Sequence, residues 1–184
     1  SFPTRRSSDL LFDFAVAFSA RKIPAGNRVA IITNAGGPGI IATDMTEMAG
    51  LKLAKFSADT VWNLHQFLPP TANFNNPVDV IGDASRDRYE NALETVIADE
   101  NVDCVLMILT PQSMTDAIGT AEAIVNTYHQ SSKPIICSFM GVVDVSAGVK
   151  HLQINHVPVY RFPEDAALAI DRKSTRLNSS HVSQ

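Results

Sequence analysis

Cysteine is scarce in this chain of 184 residues. Cys104 and Cys137 are the only two, with no Cys-x-x-Cys pair and no metal-ligand spacing. That excludes a disulfide-stapled scaffold and a zinc module, and it points to reduced, buried thiols in a cytoplasmic protein. Long apolar runs are also missing. The longest in the body of the chain, Cys104 to Leu109, falls well short of the roughly 18 residues that a membrane-spanning helix needs. Positive charge is not in excess: the formal net charge is −4, which argues against a nucleic-acid surface. Internal repeats and low-complexity tracts are absent from the body. What remains is 45% hydrophobic and 18% charged, the composition of one ordinary globular domain rather than a disordered chain.

The two ends read differently from the rest. Ser1 to Leu10 (SFPTRRSSDL) and Asp171 to His181 (DRKSTRLNSSH) are what common sequencing-adapter DNA gives when translated in frame. Both are polar and basic with no apolar periodicity, so residues 1–10 and 171–184 are set aside as adapter-derived. Between them, Leu11 to Ile170 carries ten basic and seventeen acidic residues, a more acidic body than the whole-chain figure suggests. A body of this length buries roughly two thirds of its unfolded surface, enough for one core.

Leu11, Phe14, Ala15 and Phe18 share a helical face, so Leu11 to Ala20 is expected to be a helix. Residues 11–27 then form a connector helix and the linker RKIPAGN. From 28 to 170, apolar strands alternate with amphipathic helices. Strands are expected at Arg28–Asn34, Leu51–Phe56, Asp103–Leu109, Pro134–Phe139 and Val157–Phe162, with an extended stretch at Asn75–Ile81. Helices are expected from about Pro38 to Ala49, closed by Gly50, and at Ala58–Leu68, Ser85–Asp99, Thr115–His129 and Ser146–Ile154, with a further start at Pro163. This alternation defines an α/β fold: a three-layer, doubly wound, mostly parallel sheet.

Ligands of such sheets bind at the carboxyl ends of the strands. Three loops lie there: Asn34-Ala35-Gly36-Gly37-Pro38-Gly39, Gly82-Asp83-Ala84 and Thr110-Pro111-Gln112, with Phe139-Met140-Gly141 a weaker fourth. Glycines leave the backbone amides uncovered, and a helix starting there aims free N–H groups and a positive dipole end at one point, which suits phosphate. A tight turn with nothing bound fits the same spacing. Two better-known glycine motifs fit poorly. A P-loop needs Gly-Lys-Ser/Thr, and no lysine occurs between Lys22 and Lys52. Gly37-Pro38-Gly39-Ile40-Ile41-Ala42 satisfies a dinucleotide pattern formally, but the second strand ends Lys55-Phe56-Ser57 without the acid that would hold a ribose. Asp79 and Asp83 either orient a ligand or cap their own turn. Thr110 and Gln112 either bond a ligand or cap the next helix. No histidine adjoins a glycine loop, and no nucleophile–base pair is visible.

Five segments carry a family resemblance: GNRVAIITNAGGPGIIATD (26–44), LPPTANFNNPVDVIGDAS (68–85), VDCVLMILTPQSMTD (102–116), KPIICSFMG (133–141) and PVYRFPEDA (158–166). Together they resemble ADP-forming acyl-CoA synthetases of the acetate–CoA ligase family, related to succinyl-CoA synthetase. The resemblance covers residues 28–170 in order. It implies the third, flavodoxin-like domain of the α part, with residues 11–20 as its connector. It also implies an activity for the whole enzyme: acyl-CoA, ADP and phosphate are interconverted with free acid, CoA and ATP through an acyl phosphate and a phosphohistidine.

By that resemblance, Asn34, Ala35, Gly36, Gly37, Pro38 and Gly39 contact the phosphohistidine or phosphate; Asp79, Gly82, Asp83, Thr110 and Gln112 are candidates for ligand-facing loops from their place at the strand ends. The implied partners are preceding CoA-binding and histidine-loop domains and an ATP-grasp domain or subunit, with CoA, ATP/ADP, phosphate and Mg bound by the whole enzyme. This chain alone is then expected to hold no cofactor or metal and to be inactive. Two positions depart from the family pattern: Val142 replaces a second glycine, and Asn155-His156 replaces Ala-Gly. Similar domain trains are fused to GNAT acetyltransferases that modify protein lysines, where they are regulatory. Nothing between Leu11 and Ile170 separates that alternative from a ligase. A receiver-like switch is disfavoured, because Leu109-Thr110 and Thr33-Asn34 stand where it would need acids.

Overall fold

A computed structural model describes residues 22–113, 115–141 and 145–180, with backbone only at 173 and 175–180. The helix expected at Leu11–Ala20 and the position of Val142 lie outside the described residues. Elements follow in the order β1 (Arg28–Thr33), α1 (Gly36–Met48), β2 (Lys52–Leu53), α2 (Ala58–Phe67), β3 (Val78–Asp79), α3 (Arg86–Ala98), β4 (Cys104–Leu109), α4 (Ala117–Gln130), β5 (Ile135–Phe139), α5 (Ser146–Ile154), β6 (Val159–Tyr160) and α6 (Pro163–Ser180). Every strand pairing is parallel, in the order β2-β1-β4-β5-β6, with β3 also on β1.

The central strands read as unbroken apolar runs because both faces of the sheet are covered. Ala30, Ile32, Val105, Met107, Ile135 and Cys137 face one core with α2, α3, α4 and α5. Val29, Ile31, Cys104, Leu106, Ile108 and Ile136 face the other, under α1 and α6. Each fully buried aliphatic side chain contributes about 1.5–3 kcal/mol. The two cysteines therefore point to opposite sides of the sheet and cannot pair. Burial pushes the Cys137 thiol up, so it stays protonated.

The largest departure from the expected strands is at β1's outer edge. A single strand over Leu51–Phe56 is expected there, but β2 is two residues long and covers only Arg28 and Val29. β3 covers Ile32 and Thr33. The gap between them is filled by the Asn76 side chain. Its Oδ1 accepts from the Ile31 amide at 2.9 Å, and its Nδ2 donates to the carbonyls of Val29 (2.8 Å) and Ala54 (3.0 Å). α1 also starts earlier than expected, at Gly36 rather than Pro38. α6 continues past Ile170 to Ser180, because DRKSTRLNSS contains neither glycine nor proline and extending an existing helix costs little.

Helix ends follow local chemistry. Gly50, at φ 80°, closes α1 as expected from its position after the helix. α5 ends in the same geometry but with His156 at φ 58°, its amide bonded to the Gln153 carbonyl and the Val157 amide to the Leu152 carbonyl. A side chain in the left-handed region costs about 1 kcal/mol relative to glycine. His156→Gly is therefore expected to raise the unfolding free energy by about 1 kcal/mol in urea titrations.

At the amino end of the sheet Asp103 accepts hydrogen bonds from the Arg28 amide (2.9 Å), Nε (2.9 Å) and Nη2 (2.8 Å). These bonds hold its carboxyl below the usual range against the opposing effect of burial. Asp99 is raised by burial, but the amides of Asn101 and Ser57, each at 2.8 Å, outweigh that and lower it overall. Folded values below the unfolded ones mean that this stability is fully present above the ordinary aspartate pKa, near 3.9, and is lost as pH falls through the folded values. Thermal midpoints should stay flat from neutrality to about pH 5 and drop below about pH 4. Asp103→Asn should flatten that acid limb.

Candidate phosphate-docking site

The carboxyl ends of β1 and β4 form the switch point of the sheet, since β1 leads outward to β2 and β4 leads the other way to β5. The Thr33 hydroxyl accepts from the Ala35 amide at 3.1 Å and donates to its carbonyl at 2.9 Å. Ala35 is extended and caps α1 with no side-chain bond. Pro38 has no N–H, and the Gly39 amide returns to the Ala35 carbonyl at 3.2 Å. That leaves the amides of Gly36 and Gly37 as the open donors of the first turn, both residues exposed. No acidic side chain lies in that turn to take them.

Neither Gly36 nor Gly37 has a positive φ, and a β-carbon at either would meet nothing within 4 Å. Nothing within the described fold requires glycine there. Gly39 differs, because a β-carbon would come within 3.0 Å of Thr33 Cγ2.

Asn34 is 3% exposed and its side chain bonds both backbone groups of Thr110. Nδ2 donates to the Thr110 carbonyl and Oδ1 accepts from the Thr110 amide, both at 2.8 Å. Gly82 joins the same cluster: a β-carbon there would lie 3.7 Å from Gln112 and 3.8 Å from the Asn34 carbonyl. Pro111 packs toward Gly141, within 3.1 Å of a β-carbon placed there. The structure thus brings Asn34, Gly36, Gly37, Gly82, Thr110 and Gln112 onto one rim.

Asp79 and Asp83 use their carboxylates locally. Asp79 accepts from the Ile81 amide at 2.9 Å, and Asp83 pairs with Arg88 at 2.5 Å. Helix α4 is capped by Asp116, which accepts from Gly119 at 2.8 Å, so Thr110 and Gln112 do not cap it. Phe139 and Gly141 line a separate cleft of about 650 Å3 beside α5 and β6. Sequence reasoning passed over Ile81, whose φ of 70° is the left-handed region adopted by a β-branched residue. Glycine, asparagine or aspartate would have signalled such a position in advance. Among the described residues no group of three His, Cys, Asp or Glu side chains could hold a metal ion. No helix among them is long and apolar enough to cross a membrane.

Fold and rim together define a doubly wound α/β domain with an amide-lined helix start at its switch point. Residues 29–180 match the profile of the Ligase-CoA domain. The chain is 41% identical over 164 residues to the ADP-forming acetate–CoA ligase I of Archaeoglobus fulgidus, covering 89% of this chain and 23% of that protein. It is 36% identical over 165 residues to the α subunit of the ADP-forming acetate–CoA ligase II of Pyrococcus furiosus, covering 88% and 36%. The dinucleotide-forming acetyl-coenzyme A synthetase 1 of Ca. Korarchaeum cryptofilum, solved with phosphate and ADP, superposes with a TM-score of 0.85 at 30% identity, over 95% of this chain and 39% of that one. The chain belongs to the Ligase-CoA domain family, and it spans between about a quarter and a third of the length of these curated relatives.

Proposed function

We propose that this domain is part of an ADP-forming acyl-CoA ligase of the acetate–CoA ligase type, and that its glycine loop docks a phosphorylated histidine carried by another domain. The whole enzyme would interconvert acyl-CoA, ADP and phosphate with the free acid, CoA and ATP, in the cytoplasm. The observation that carries this is the pair Gly36 and Gly37: open amides at a helix start, in residues that no contact of their own fold requires to be glycine. Each glycine costs helix stability relative to alanine. A phosphoryl group approaching the backbone closely gives that cost a reason.

Asn34 supports the loop rather than reaching the ligand. Gln112 and Gly82 face the same rim and are assigned to the ligand side. The domain itself is placed at residues 28–170, with 1–10 and 171–184 of adapter origin. CoA, the nucleotide with its Mg and the phosphorylated histidine are assigned to CoA-binding, ATP-grasp and histidine-loop partners.

Sequencing the source DNA outward from Leu11 and Ile170 tests the reading and the boundaries together. Upstream CoA-binding and histidine-loop domains with an ATP-grasp partner are the expected result. A downstream GNAT domain would turn the assignment to a regulated acetyltransferase. Genomic codons running through SFPTRRSSDL would overturn the boundaries.

A further inference from the structure

We infer that Asn34 is the positioning residue of the docking loop, coupling the amides of Gly36 and Gly37 to the Thr110–Gln112 loop so that the two respond to a phosphoryl group as one unit. The inference rests on the docking function proposed above and adds to it the residue that sets the site's geometry.

Parallel pairing between β1 and β4 ends at Thr33 opposite Ile108. One residue later β1 leaves the sheet toward α1, while β4 stays paired with β5 through Leu109 before it turns into the Pro111 loop. At that point the Asn34 side chain takes over from the ladder. Its amide group both donates and accepts, and Thr110 takes one bond of each kind at 2.8 Å. The residue is 3% exposed, so water competes little for either bond and both are geometrically demanding. Asn34 immediately precedes Ala35, the cap of α1, and is two residues from Gly36. Fixing Asn34 to β4 therefore fixes where the helix begins and which way the two open amides point.

Other residues cannot substitute for this arrangement. Aspartate keeps the acceptor for the Thr110 N–H but, when ionised, faces the Thr110 carbonyl with like partial charge. Alanine leaves both Thr110 groups without this partner. The Thr33–Ala35 bonds shape the turn locally, yet they make no contact with β4. Among the described residues, Asn34 spans the two loops with a two-way bond. Gly82 closes on the same point from the third loop, beside Gln112 and the Asn34 carbonyl, so a shift of Asn34 would be felt across the rim.

Amide NMR of the 184-residue chain, titrated with inorganic phosphate, tests this. In the unmodified chain the Gly36, Gly37 and Thr110 amides should shift together with one Kd. In Asn34→Ala, phosphate should bind Gly36 and Gly37 about tenfold more weakly, the penalty of a misplaced donor pair, and Thr110 should cease to respond. If Asn34→Ala does not fold, Asn34→Asp above its carboxyl titration carries the test, and lowering the pH should restore the coupled response. A purely structural asparagine would lower the melting temperature and leave the phosphate Kd of the folded protein unchanged; that result overturns the inference while the docking function stands. No shift at Gly36 or Gly37 in the unmodified chain removes the docking function and the inference with it.

Discussion

Gly37→Ala is expected to lower the activity of the proposed ligase about a hundredfold, the scale of keeping a developing charge from well-placed backbone donors, without weakening the domain. The added methyl group holds a phosphoryl group away from amides that are still present. Gly37 lies in helical conformation, exposed, with open space where a methyl group would go. Alanine should therefore stabilise α1 by up to about 1 kcal/mol. Gly37→Asp sharpens the test. An acid in the first turn of a helix stabilises it by about 0.3–1 kcal/mol, yet here it would compete with and repel an incoming phosphoryl group. Activity and stability should thus move in opposite directions in both variants, with the aspartate the more inactive. Activity within twofold of the unmodified ligase, in variants whose unfolding midpoints are intact, would sink the docking function. Gly39→Ala is the wrong variant for this purpose. Its methyl group would come within 3.0 Å of Thr33 Cγ2 and disturb the Thr33–Ala35 turn, so a loss of activity there would not separate docking from folding.

The parts of the molecule that sequence reasoning reached are those governed by periodicity and by glycine. Cys104–Leu109 is apolar at every position because β4 lies centrally with both faces covered, and such a run has few other readings in a chain alternating strands with helices. Gly50 marks the end of α1 through its positive φ. The loop at Asn34–Gly39 stands out because three glycines and a proline follow a buried strand. Proline favours the first position of a helix, which points to a start at Pro38. The Thr33–Ala35 hydrogen bonds instead let the helix begin at Gly36 and leave proline in the first turn, where its missing N–H costs nothing.

Long-range side-chain bonds leave no local trace. Asn34 and Thr110 are 76 residues apart, and Asn76 lies 45 residues from Ile31. Their amide groups stand in for backbone at places where strands diverge or stop, and composition carries no record of that. Ile81 is hidden for another reason. The turn places its positive φ on a β-branched residue beside an available glycine, Gly82, against the propensity from which any forecast would start.

Asn76 is where the fold is most exposed to a single substitution. β1 is the central link between the inner sheet and its outer edge, and that edge is held by three separate partners. Removing the Asn76 side chain leaves the Ile31 amide and the Ala54 carbonyl without the partner they now have. The Val29 carbonyl keeps the Ala54 amide at 2.8 Å, and all three residues are essentially buried. An unsatisfied buried polar group costs about 1–3 kcal/mol. With partial relaxation of the edge, Asn76→Ala is expected to cost on the order of 3 kcal/mol, a large share of a domain's 5–15 kcal/mol. The melting temperature should fall by about 10 °C.

The neighbouring Asn75 supplies the control. It is exposed, and its backbone rather than its side chain bonds Asn73, so Asn75→Ala should stay within about 0.5 kcal/mol of the unmodified chain. Urea titrations at neutral pH measure both. Equal midpoints for the two alanine variants would mean that water replaces the Asn76 amide at no cost, and that β1 does not depend on this side chain to complete its edge. The expected gap means that one asparagine outside every regular element does the work of the middle of a missing strand.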